Sequence, residues 1–286
     1  MMYSWRSGPA RAGEAIGPHH CCSVISPALR REAAGLNRWV RLLFAVGLAA
    51  GLALSGPPSA KAAEAEDVAT ALSLAQFLRS ARTVISGNQN LINDPAMGDK
   101  GLSGTAVLEA AIEKYKAATG IDPKSIDPSS REGRLLSAQM DAIVEVMDEN
   151  QATINKEGLG FKGFVPAVFA RLVNEEFRRK MGQVADVKVT APRYLIRNRK
   201  ALPDSWENEV IMTKLILPDW PRNQIFTSES PSKGRSAFRI LIPEYYGQGC
   251  LQCHGEPKGD IDVTGYPKEG GKLGDMGGVI SIALFR

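Results

Sequence analysis

Apolar residues recur at three- and four-residue steps from Asp67 to Ile85, through Val68, Leu72, Ala75, Leu78 and Ile85. That period predicts an amphipathic helix, with Gly87 as its stop. Asn88–Gly104, with Asn-Asp-Pro at 93–95 and three glycines, reads as an irregular connection. The helical period returns over Thr105–Thr119 through Val107, Leu108, Ala111, Ile112 and Tyr115, closed by Gly120. A Pro/Ser-rich loop, Ile121–Ser130, leads into a long helix predicted over Arg131–Lys156 and ended by Gly158. A further helix spans Val165–Met181, with Pro166 in its first turn and Gly182 after it.

Beyond Gly182 the period shortens to two. Ala185–Pro192 alternates Val187 and Val189 with Lys188 and Thr190, and Ala237–Ile242 and Val279–Phe285 are short β-rich runs. A short helix around Asp204–Ile211 interrupts them. Helices first and strands later, with no βαβ rhythm, predict an α+β fold built on an antiparallel sheet.

The chain has 286 residues, 44% of them apolar, and a formal charge of +4. The excess is local. Residues 1–62 hold seven Lys/Arg against two Glu, which leaves 28 basic against 29 acidic residues in the remainder. Nothing in that balance points to nucleic acid. Arg38 and Arg41, the apolar run Leu42–Leu54 and the Ala-x-Ala ending at Ala62 follow the order of a secretory leader. The apolar run falls short of the roughly 20 residues that span a bilayer. The expectation is a periplasmic protein cleaved near Ala62, meeting the membrane only if the leader stays on.

Cleavage there leaves two cysteines and one histidine, all within Cys250-Leu251-Gln252-Cys253-His254. This composition gives a Cys-x-x-Cys-His match by chance at a frequency of about 6 × 10⁻⁴. The spacing is that of c-type haem attachment, in which two thiols add to the porphyrin vinyl groups and the adjacent imidazole binds iron. A structural zinc site, a Cys-x-x-Cys redox pair and two inert thiols are the other readings of these residues. Zinc lacks a fourth Cys or His. Glycines at 247, 249, 255 and 259 and Pro257 place the motif in a loop rather than at the strand-to-helix junction of a thioredoxin-like pair. No nucleophile elbow, phosphate loop or zinc-protease motif occurs, so an enzyme is not expected.

The run Ile242-Pro-Glu-Tyr-Tyr-Gly-Gln-Gly-Cys-Leu-Gln-Cys-His-Gly255 is followed by Gly265-Tyr-Pro-Lys-Glu-Gly-Gly-Lys-Leu-Gly-Asp275 and Gly277-Gly-Val-Ile-Ser281. Together with Arg197-Asn-Arg-Lys-Ala-Leu-Pro-Asp-Ser-Trp-Glu207, it resembles a family of exported c-type haem domains with a PAS-like fold, found alone or as input domains of bacterial sensor kinases. The resemblance runs from about Arg134 to the C-terminus. After the leader over 1–62 and an N-terminal helical segment over 63–130, it implies a PAS-like haem domain over 131–286. It also implies one covalent haem c between sheet and helices, used to sense redox state or a small gas or to pass electrons to a partner protein. No kinase region follows in this sequence, so a separate signalling partner is expected.

Members of that family place a helical Cys opposite the histidine, and here the chain departs from the pattern, with no Cys between Ala63 and Gln248. Met140 and Met147, two turns apart on the long helix, are the first candidates for the distal position, with Met181 next and an open site as the alternative. Arg197, Arg239, Tyr245 and Tyr246 are candidates for holding the haem propionates. Their bland alternative is solvated charge and ordinary core aromatics.

Overall fold

The structure of the protein, a computed structural model, describes residues 60–286. The reading of a leader over 1–62 therefore lies outside the described residues, apart from its last three.

Helix α1 runs Ala60–Gly87, uninterrupted by proline, and starts ahead of the predicted Asp67. Its buried stripe is Ala71, Leu74, Ala75, Phe77, Leu78, Ala81, Val84 and Ile85. Leu72, expected on that stripe, is 38% exposed, because the apolar face lies one residue further round the helix. A single turn, α2 (Gln89–Ile92), follows. Helix α3 (Gly104–Thr119) is capped by Ser103, whose side chain accepts from the Ala106 N–H, and closed by Gly120 at φ 73°, as expected. Phe77 meets Tyr115 edge-on, with ring centroids 5.6 Å apart.

Helix α4 (Arg131–Glu149) stops short of the predicted Lys156. The reason is Asn150, whose side-chain amide donates to the Val146 carbonyl at 2.7 Å and competes with the helical ladder. One separate turn, α5 (Gln151–Ile154), completes the segment. Helix α6 (Pro166–Met181) starts on its proline and places Arg178, Arg179 and Lys180 in its last turn, where they complement the helix dipole.

Four strands follow: β1 (Ala185–Thr190), β2 (Phe226–Glu229), β3 (Ala237–Tyr245) and β4 (Met276–Phe285). They form one antiparallel sheet in the order β1-β4-β3-β2. The fold is α+β, with the N-terminal helices packed on the sheet. Strand β2 was not legible beforehand: it is a short edge with polar Thr-Ser-Glu after Phe226.

Alternation divides the two central strands. Phe238, Ile240, Ile242, Ile280, Ile282 and Leu284 join the helical core that also holds Leu74, Val107 and Ile143. The boundary drawn at residue 130 is thus the loop between α3 and α4, across which the core is continuous. On the opposite face Leu241 and Val279 pack with Val210, Ile211 and Leu215. Those residues come from α7 (Ser205–Val210) and a π-helical turn, Ile211–Leu215. Asp204 and Glu207 form a capping box at the start of α7. Among the described residues no helix is long and apolar enough to cross a membrane.

Candidate functional site

The site hangs from the centre of the sheet. Strand β3 ends at Tyr245 and β4 begins at Met276, so residues 246–275 form one long connection between the two central strands. Backbone bonds from Tyr246 N to Asp275 O (2.8 Å) and from Gly274 N to Tyr246 O (2.9 Å) close its neck.

Within it, a 3₁₀ turn, Gln248–Cys250, passes into helix α8 (Leu251–His254). The expectation of a loop is thereby corrected: the flanking glycines bound a helical turn instead of dissolving it. A Cβ on Gly255 would lie 2.5 Å from the Leu251 carbonyl, so only glycine lets the chain leave the helix there. Residues at i, i+3 and i+4 share a helix face, which brings Cys250, Cys253 and His254 together. Both cysteines are free, half-buried thiols.

His254 is held on two sides. Its Nδ1 lies 2.8 Å from Glu269 Oε2, and its ring stacks on Tyr246. Glu269 is gripped by Arg197, with Nε to Oε1 at 2.9 Å and Nη2 to Oε2 at 3.1 Å. Arg197 also donates to Asp262 Oδ2 at 2.6 Å and to the Cys253 carbonyl at 2.9 Å. One guanidinium therefore ties the motif helix to two points of the following loop.

Burial opposes ionisation of Glu269, but the hydrogen bonds from Arg197 and His254 outweigh it and hold the carboxyl below the usual range. Asp262 is likewise held well below its ordinary value, with bonds from Thr264 and Arg197 overcoming burial. Burial, then the charge of Asp262, pushes the Cys253 thiol upward.

Two open cavities adjoin Glu269. One, of about 550 Å³, is lined by Leu215, Leu217, Trp220, Tyr245, Tyr246 and Met276 among others. The other, of about 510 Å³, reaches Arg197 and Tyr266. Each falls in the size range of cofactor pockets. Tyr194 and Leu195 border both. The Tyr246 hydroxyl is buried without a hydrogen-bond partner, and burial, then the charge of Glu269, raises its pKa to about 12. These residues fit a c-type haem: two free thiols, an imidazole whose Nδ1 is occupied so that Nε2 is left to face a metal, and a hydroxyl in want of a partner. Among the described residues no group of three or more His, Cys, Asp or Glu is arranged to hold a metal ion.

The other candidates separate. Tyr245 and Tyr246 line the larger cavity. Arg197 reaches the site, but its donors are engaged by Glu269 and Asp262, so it braces the motif rather than offering a free cation. Arg239 is 3% exposed and lies elsewhere, paired with Asp204 and Glu207 and stacked over Trp206. It secures α7 to the sheet. Met147 is fully buried in the helical core and Met140 packs at that core's edge, and neither lines a cavity beside the motif. The methionine that does is Met276.

Sequence reasoning missed Glu269, Asp262 and Arg222. Among the described residues Arg222 is the one cationic side chain lining the larger cavity, and it lies over the Tyr245 ring at 3.9 Å. Glu269 and Asp262 sit in the glycine-rich stretch after the motif, and an acidic residue fifteen positions after His254 carries no periodic signal.

No curated protein matches the chain. Among solved structures it is similar to the cyanobacterial heme-protein Tll0287, at 15% identity over 54% of this chain and 96% of that one, with a TM-score of 0.36. A family model described as Tll0287-like matches residues 60–284. The chain therefore belongs to the Tll0287-like family.

Proposed function

We propose that the protein is an exported, periplasmic monohaem c-type module that senses redox state or a small gas and is not itself an enzyme. The observation that carries this reading is the helical turn with Cys250, Cys253 and His254 on one face and Nδ1 of the histidine already engaged. Membership of a family named for Tll0287, a heme-protein, supports it. A PAS-like arrangement is part of this reading, supported by a four-stranded antiparallel sheet with the N-terminal helices on one face and the short α7 on the other. Cys250 and Cys253 would form the thioether anchors and His254 Nε2 the axial bond. Arg222 and Tyr246 would hold the propionates, in place of Arg197 and Arg239. Haem, when bound, supplies an iron that changes oxidation state and takes up small ligands. A separate protein would carry the signal onward.

Mass spectrometry of protein matured in a host that attaches haem c tests the core of this reading. A haem mass on the peptide holding Cys250 and Cys253 is expected, and its absence would end the proposal.

One observation favours a second reading, electron transfer with a thioether as distal ligand: Met276 lines the larger cavity. Ferrous spectra with and without carbon monoxide separate the two. A shift on adding the gas supports an open sensing site. No shift, followed by carbon monoxide binding once Met276→Ala is introduced, supports electron transfer.

A further inference from the structure

We infer that Glu269 acts through His254 as a positioning residue that makes the imidazole a stronger electron donor and biases a bound haem iron toward the ferric state. This rests on the haem reading above and assigns a role to a residue outside the attachment motif.

The contact between His254 Nδ1 and Glu269 Oε2 is 2.8 Å, the length of a charge-assisted hydrogen bond. A carboxylate on the second nitrogen of a metal-binding histidine fixes its tautomer and raises its basicity. Axial-ligand basicity and hydrogen bonding beyond the ligand are two of the protein's levers on haem potential.

The placement of Glu269 is built into the backbone. Gly271 N donates to the His254 carbonyl at 2.7 Å and Gly270 N to the Gly255 carbonyl at 3.1 Å, so the stretch carrying Glu269 is zipped onto the end of the motif helix. That approach requires glycine: a Cβ on Gly271 would stand 2.5 Å from Tyr246 Cε2. The far side of the carboxylate is fixed by two Arg197 nitrogens. An ordinary surface ion pair needs none of this, and the Glu269 side chain is only 19% exposed. Arg197 sets the strength of the effect, since a cation on the same carboxylate draws charge away from the histidine.

The test compares holoproteins of wild type, Glu269→Gln, Arg197→Gln and Asp275→Asn by spectroelectrochemistry and by the iron–histidine stretching frequency of the ferrous form. Glu269→Gln is expected to shift the ferric/ferrous equilibrium at least about tenfold toward ferrous, an upward move of about 59 mV for one electron, and to lower the stretching frequency. Arg197→Gln is expected to move both readouts the opposite way. Asp275→Asn removes a charge from the same cavity wall without touching His254. It is expected to leave the stretch unchanged.

Equal potential shifts in Glu269→Gln and Asp275→Asn with an unaltered stretch would overturn the inference, leaving Glu269 a mere charge. Should Glu269→Gln not fold, Glu269→Asp reads the same quantity through a lengthened contact, with smaller shifts of the same sign expected and none overturning it. Wild-type protein without covalent haem would defeat this inference and the functional reading together, whereas haem present with no shift defeats this inference alone.

Discussion

The imidazole of His254 lies flat against the phenol ring of Tyr246, centroids 5.2 Å apart and planes 13° from parallel. Tyr246 is 8% exposed, so the tyrosine forms the floor on which the histidine rests. Tyr246→Ala is expected to cost about 3 kcal/mol, the scale of deleting a buried aromatic ring, measured by urea unfolding. Tyr246→Phe removes the unpartnered hydroxyl and should raise the stability of haem-free protein by up to about 1 kcal/mol. The gain should vanish in the holoprotein if a propionate takes that hydroxyl as its partner.

Gly277 lies against the other edge of the same ring, where an added Cβ would stand 2.2 Å from Tyr246 Cε1. An aromatic ring clamped on both edges cannot give way. Gly277→Ala is therefore expected to cost about 1–3 kcal/mol through overpacking, seen as a lower Tm with a broadened haem spectrum.

Arg239 and Glu207 have side chains only 3% exposed, and their ion pair ties the start of α7 to the sheet. Arg239→Ala would leave Glu207 held by Lys188 alone, whose Nζ lies 2.6 Å from Oε2, and would free Asp204 of its partner, a loss of about 2 kcal/mol. Because Arg239 stands away from the motif, the midpoint potential of the protein that does fold is expected to be unchanged. Denaturant melts paired with redox titration check both halves.

Acid should weaken the ion pair between Glu176 and Arg179 on the last turns of α6. The hydrogen bond from Arg179, working against burial, draws the Glu176 carboxyl down from 4.5 to about 2. A carboxylate with a folded value below its unfolded one stabilises the fold above the unfolded value, and the gain disappears as pH falls through the folded one. The urea midpoint should accordingly decline between about pH 4.5 and 2. Glu176→Gln should flatten that stretch of the curve, and added salt should blunt it because Arg179 is largely in solvent.

Long, periodic segments were readable from sequence because burial imposes its period on them. Helices α3 and α6 follow directly from the spacing of apolar residues, and β3 and β4 show in the sequence as β-rich runs, each three residues shorter than the strand. The stop at Asn150 was not readable, since it arises from one side chain competing for a carbonyl, and β2 gave no alternation to read. The Cys-x-x-Cys-His pattern stands out in the sequence because it is confined to five consecutive residues. Its surroundings do not: Glu269 reaches His254 only because Gly270 and Gly271 allow two backbones to meet, and proximity of that kind leaves no local pattern. Helical spacing shows which residues share a face but not what that face meets, and the structure packs Met147 in the helical core and Met140 at its edge.

Helix α1 has a further consequence. Asp67 near its start pairs with Arg131 and Arg286, and Ser86 at its far end approaches Gly249 beside the attachment turn. Twenty-eight helical residues extend about 42 Å. Ala60 and the turn that carries Cys250 and Cys253 thus stand at opposite ends of α1, so this one rigid helix sets the distance between the start of the described fold and its two thiols.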